Sequence, residues 1–274
     1  MKRFRKISLG LMVSVLVFGT AKADPIKDCF NFIKAQDYKR ALRYGLEAVR
    51  LFPDNPVAYL CTGGAYSYLG EYNLAIKYLK LAERHATQKQ LLEDIYNFEG
   101  TVYDTMGDEK NALLYDNRAL KLAIELGNRK AEADNLSNIG LLYRHAGKLN
   151  KALEFYEKAL KVSDEKDKAA IYNNIASIYY AKGDYSKNIY YLQKAIKISQ
   201  NYGNYDALGK SYINIGNTYI KTNNLSKAKE YLDKGLEMEE KIGNKRWIGA
   251  AYTSLGELYE AQGNKTLTKE YLIK

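Results

Sequence analysis

The chain has 274 residues with only three prolines against 26 tyrosines, and Ala, Leu, Lys, Glu and Tyr dominate, a profile that favours helices and leaves strands little room. Of the formal charge of +10, five units sit on Lys2, Arg3, Arg5, Lys6 and Lys22, leaving +5 on the remainder. There basic and acidic residues are interspersed, as in Lys148 and Lys151 near Glu154 and Glu157, which excludes a continuous nucleic-acid-binding stripe.

Residues 1–23 read as a secretory signal: a basic start, an apolar stretch from Ile7 to Thr20, and Ala21, Lys22 and Ala23 as the small-residue cleavage site. As a helix that stretch would reach only about 21 Å, short of the roughly 30 Å hydrocarbon core. Export with cleavage before Asp24 is therefore expected, to the periplasm or the exterior, with no stable membrane insertion afterwards; the alternative is anchoring by an uncleaved N-terminal segment. Cys29 and Cys61 are the two cysteines. An exported chain can bridge them, but both lie in helical patterns where a buried free cysteine serves as a small hydrophobe, and free thiols are the expectation.

From Tyr59 onward one pattern returns six times. A small residue recurs at Gly63, Gly100, Gly140, Ala176, Gly216 and Gly256, spaced 37, 40, 36, 40 and 40 residues apart, and three residues after each stands Tyr66, Tyr103, Tyr143, Tyr179, Tyr219 or Tyr259. Four residues further come Gly70, Gly107, Gly147, Gly183, Asn223 and Gly263, where a left-handed backbone would end one helix and let the next begin. A second amphipathic run follows each turn, with small residues at Ala75, Ala112, Ala152 and Ala228 and, seven positions on, at Ala82, Ala119, Ala159 and Gly235. Each unit is thus a helical hairpin. An earlier degenerate unit lies between Phe32 and Pro53, where Tyr38, Ala41 and Ala48 keep only the second-helix pattern.

In Tyr59, Gly63, Tyr66, Gly70, Tyr72, Ala75, Leu79 and Ala82 the chain resembles the tetratricopeptide-repeat family, and its 40-residue units resemble the kinesin-light-chain variety. The resemblance implies an all-α, right-handed superhelical solenoid of antiparallel helix pairs over 24–274, about seven hairpins, the first degenerate and the last short. Burial gives the reason, since no hairpin covers its own apolar face and neighbours must stack. The recurrent tyrosines then read as packing stations rather than a ligand surface. Asn188 and Thr268 stand where alanine is usual, which predicts looser packing there.

Chemistry is sparse. His85 and His145 have no partner at metal-ligand spacing, the glycines form no phosphate loop, and the acid pairs Glu93-Asp94 and Glu239-Glu240 read as solvated helix faces, so neither enzyme activity, metal nor other cofactor is expected.

The first helices of this family line a concave groove that takes peptides. Two residues before the small station stand Asn138, Asn174 and Asn214, weak helix formers whose amides suit a passing peptide bond. By resemblance they form a ladder gripping a ligand backbone, and Phe98 holds the matching place in the preceding unit. Around it, by helical spacing, lie Arg144, Ser177, Tyr180, Asn217, Lys221, Glu257 and Glu260, a groove polar and mixed in sign. The expected partners are other proteins or peptides, in an adapter that assists assembly of an envelope complex; the alternative is a scaffold that uses its convex face or ends. Leu267, Tyr271, Leu272 and Ile273 are expected to stay uncovered and either to self-associate or to dock a partner.

Overall fold

The computed structural model describes residues 24–273; the basic-then-apolar segment 1–23 lies outside them. Fourteen α-helices follow one another among the described residues: α1 (Pro25–Lys34), α2 (Tyr38–Leu51), α3 (Pro56–Leu69), α4 (Tyr72–His85), α5 (Lys89–Met106), α6 (Glu109–Glu125), α7 (Arg129–His145), α8 (Leu149–Val162), α9 (Lys168–Ala181), α10 (Tyr185–Asn201), α11 (Tyr205–Lys221), α12 (Leu225–Lys241), α13 (Lys245–Ala261) and α14 (Lys265–Ile273). They fall into two compact units that meet within α7, between Leu142 and Tyr143.

Local chemistry sets the helix ends. Asp108, Asp184 and Asn224 each accept the N–H three residues on, at 3.0, 3.0 and 3.3 Å, which satisfies an orphan donor of the helix they open. At the other end, φ is +75° at Gly183 and +56° at Asn223. This left-handed turn lets Asp184 N–H reach the Tyr179 carbonyl at 2.9 Å and Asn224 N–H the Tyr219 carbonyl at 2.8 Å, so the next helix starts at once. Asparagine serves at Asn223 where Gly70, Gly107, Gly147, Gly183 and Gly263 stand at the matching turns, because its short polar side chain tolerates that conformation.

In the first unit, α1 packs on α2 and α3 around Phe30, Ile33, Ala41 and Ala65. Contrary to the expectation of free thiols, Cys29 and Cys61 form a disulfide between α1 and α3, with Cα atoms 6.4 Å apart. The two sequence stretches look like ordinary core helices because they are; what the pattern hides is that the degenerate hairpin folds back onto α3 and brings the two buried cysteines together. The next core gathers Tyr59, Leu79, Ile95, Phe98 and Val102 from α3, α4 and α5.

In the second unit, Ile213, Leu232, Leu255 and Leu258 form the centre of a core from α11, α12 and α13. Leu267 and Tyr271 of α14 pack against it, so of the four residues expected to be uncovered two are seated; Leu272 and Ile273 are 57% and 75% exposed. Asn188 overturns the expectation of loose packing. It is buried, donates to the Ala176 carbonyl at 2.8 Å and accepts from the Thr218 hydroxyl at 2.6 Å, bridging α9, α10 and α11.

The station tyrosines share a rule that periodicity alone does not display. Each stacks or tilts against the ring twelve residues later: Tyr66 on Tyr78, Tyr103 on Tyr115, Tyr143 on Phe155, Tyr179 on Tyr191, Tyr219 on Tyr231 and Tyr259 on Tyr271, with centroids 5.2–5.6 Å apart. Lys151, Lys187 and Lys227 lie 5.2–5.4 Å from the Tyr143, Tyr179 and Tyr219 ring centres. The tyrosines therefore lock first helix to second within the hairpin.

Candidate functional site

Asparagine plays two roles on the first helices, separated by one helical position. Asn97 of α5 donates to Asn135 Oδ1 of α7 at 3.1 Å, and Asn173 of α9 donates to the Ser211 hydroxyl of α11 at 2.9 Å. These bonds run between successive first helices and are structural; Asn135 itself is buried. Sequence reading passes over them because both partners are small polar residues 38 positions apart.

Asn174 and Asn214 stand one residue after the tie residue Asn173 and the core residue Ile213, and both are half-buried. Their backbone carbonyls accept from Ser177 Oγ at 2.7 Å and Thr218 Oγ1 at 2.9 Å. Among the described residues, nothing hydrogen-bonds their side-chain amides. Asn138, the third member of the expected ladder, belongs to the first unit and is already engaged by an interaction inside the protein.

Of the remaining residues of the expected groove, Ser177 spends its hydroxyl on the Asn174 carbonyl. Tyr180 is half-buried, edge-on to Tyr185 at 5.7 Å; burial raises its phenol pKa, with smaller contributions from Tyr185 and from Glu257 on α13. Asn217 Oδ1 is buried without a hydrogen-bond partner. Lys221, Glu257 and Glu260 are exposed. Arg144 is half-buried, with Nη2 3.5 Å from His145 Nε2.

The acid pairs correct an expectation. Glu93 and Glu239 are buried, not solvated. Burial raises the Asp94 pKa to about 7, helped by the Glu93 charge, and raises Glu93 itself against the opposing bonds from Asn135 at 2.8 Å and Gln90 at 3.1 Å. Charge alone marks a residue as exposed; only the register against the small-residue station places Glu93 and Glu239 on the inward side. No group of three or more His, Cys, Asp or Glu residues among the described ones is arranged to hold a metal ion, and no helix among them is long and apolar enough to cross a membrane.

The tetratricopeptide-repeat profile matches residues 91–165 and 167–241, more than half of the chain. The chain belongs to the tetratricopeptide-repeat family. No curated protein sequence matches it significantly. Among solved structures it is similar to the Signal Transduction ATPase with Numerous Domains (STAND) protein with a tetratricopeptide repeat sensor from Pyrococcus horikoshii, at 22% identity and a TM-score of 0.68, over 89% of this chain. The chain spans only 38% of the length of that protein. It is also similar to BtubC (BKLC) from P. vanneervenii, at 19% identity and a TM-score of 0.60 over 81% of this chain and 93% of that one. A third likeness is to the Rap protein complexed with Competence and Sporulation Factor, at 16% identity and a TM-score of 0.64 over 90% and 84%. At these identities the likeness is one of fold. The tetratricopeptide-repeat architecture accounts for the hairpins, the turn stations and the tyrosine pairs together.

Proposed function

We propose that this tetratricopeptide-repeat protein is an exported, non-enzymatic adapter that grips an extended segment of a partner protein along its first-helix face and so assists assembly of an envelope complex. One contrast carries the reading. Asn97, Asn135, Asn173 and Asn188 all spend their amides inside the protein, whereas Asn174 and Asn214, at the same position of successive repeats, keep a donor and an acceptor each for something else. A half-buried amide in a helix interior gains little locally, and a peptide bond running past it supplies both complementary groups. Tyr180, Asn217, Lys221, Glu257 and Glu260 supply side-chain contacts around that backbone grip, with Ser177 bracing the Asn174 carbonyl and Arg144 at the end of α7 on the same unit.

The disulfide supports export, since such bonds persist in oxidising compartments. The basic-then-apolar segment before Asp24 supports cleavage there. The 40-residue spacings support units of the kinesin-light-chain type, and the solved Rap complex is precedent for a related fold holding Competence and Sporulation Factor.

Affinity capture from an envelope extract, with the parent and the Asn174→Ala variant as paired baits, tests the proposal. The adapter reading predicts a defined set of proteins held by the parent and depleted on the variant. An identical set on both baits would favour a scaffold that binds through its outer face. Mass spectrometry of the native protein, with a first residue of Asp24, tests the export part separately.

A further inference from the structure

One hairpin departs from the others in its core. Counted from the small station, Glu99 occupies the place held by Ile139, Ile175, Ile215 and Leu255 in the four later units and by the uncharged Thr62 in the preceding one, and Asp116 the place of Leu79, Tyr156, Leu192 and Leu232. Both carboxyls are fully buried between α5 and α6. Asp116 lies so close to α5 that a Cβ on Gly100 would run into its carboxylate. Two apolar core stations have therefore been given over to acids.

Lys80 of α4 reaches into this core, 3.1 Å from Glu99 Oε1, while also bonding Glu83 at 2.8 Å and the Tyr115 hydroxyl. The titratable groups facing Glu99 are Lys80 and Glu83 from α4, Arg118 from α6, and Tyr96 and Tyr103 on α5 itself; Tyr115 of α6 bonds Lys80, Asp116 of α6 is buried beside Gly100, and α3 brings no charged residue. Two turns earlier on α5, Glu93 and Asp94 face Asp134 and Asn135 of α7. One helix thus carries three acids held in or beside the core, and Lys80 reaches one of them, Glu99. Burial is the largest effect on Glu99 and outweighs Lys80, leaving its pKa at about 7.

We propose that the α5–α6 hairpin is a pH-responsive joint, tightest under mildly acidic conditions and loosening as the pH rises toward 8. Ionisation of buried carboxyls favours the opened hairpin, in which water solvates them. The consequence reaches the neighbouring helix of the same unit, because Asn97 and Glu93 hold α7 through Asn135. An exported protein meets pH swings that a buffered cytoplasm damps, which gives such a joint an occasion to act.

Hydrogen-exchange mass spectrometry at pH 5.5 and 8.0, corrected for intrinsic exchange, tests this on the full chain. The α9–α10 hairpin contains no Asp or Glu within its two helices and is the internal reference. Protection of α5 and α6 is expected to fall on the order of tenfold between the two pH values relative to α9 and α10, since each unit of pKa difference between closed and open states changes the opening constant tenfold. Glu99→Gln should remove much of that fall. Should Glu99→Gln fold poorly, Glu99→Leu with Asp116→Leu restores the residues of the other hairpins and should leave a stable, weakly pH-dependent joint. Equal pH dependence in the two hairpins of the parent, or an undiminished fall in the double-leucine variant, would overturn the proposal.

Discussion

Asn188 donates to the Ala176 carbonyl at 2.8 Å and accepts from the Thr218 hydroxyl at 2.6 Å, so a polar residue at a usually small station joins three helices of the second unit. Because all three groups are buried, their pairing matters more than their number. Asn188→Ala takes from the Ala176 carbonyl the bond it accepts besides its intrahelical one, leaves the Thr218 hydroxyl only its bond to the Asn214 carbonyl and empties part of a buried site; it should cost about 1–3 kcal/mol despite the better helix propensity of alanine. Urea unfolding followed by circular dichroism reads this directly.

The tyrosine pairs predict a stability effect of different origin. Tyr179 stacks on Tyr191 with centroids 5.4 Å apart and rings 6° from parallel, with Lys187 against it. Tyr179→Ala opens a cavity between α9 and α10 and should destabilise by about 3 kcal/mol, with any loss of partner binding following from unfolding. Tyr179→Phe keeps the ring and should cost much less. Calorimetric melting of the two variants separates ring packing from the phenol.

The disulfide between Cys29 and Cys61 closes a loop of 32 residues' separation and pins α1 to α3. Its removal by Cys29→Ser with Cys61→Ser should cost about 2–4 kcal/mol, concentrated in the first hairpin. Hydrogen exchange of α1 in the double variant checks this, and an intact mass two hydrogens below the reduced value checks the bond itself.

The first unit should lose stability as pH rises. Asp94 and Glu99 both have folded-state pKa values raised to about 7, well above their ordinary carboxylate values, so between about pH 4 and 7 the folded state binds more protons than the unfolded state. Stability that is present below the unfolded-state values is then lost as pH climbs through the folded-state ones. Asp94→Asn should flatten the profile of urea midpoints against pH over that window, and a profile that still falls as steeply would remove Asp94 as a source.

The hairpins, their turn stations and their family were legible in the sequence because a 3.6-residue period and a repeat of about 40 residues both report burial. Small residues, tyrosines and turn glycines recur where the backbone geometry repeats, so the pattern and the packing are one fact seen twice. Contacts specific to one hairpin were not legible. Asn188, Glu99 and Asp116 break the pattern, and a sequence shows the break without showing what compensates it. The cysteine pair shows the same limit, since two buried helical positions look alike whether or not their side chains meet. In the candidate groove, Asn173 and Asn174 are identical in type and adjacent in sequence, and only the fold separates the one that ties α9 to α11 from the one with its amide free.

The central claim is that Asn174 and Asn214 hold a partner's backbone, and isothermal titration of a captured partner into the parent and the Asn174→Ala variant tests it most directly, with melting of both proteins as the control. Removing one amide from a half-buried groove should weaken binding by about 1–3 kcal/mol, roughly 5- to 150-fold in Kd, while the melting temperature holds or rises slightly because alanine is the better helix former. Unchanged affinity in a variant that melts like the parent would contradict the groove assignment and leave the outer face as the binding surface.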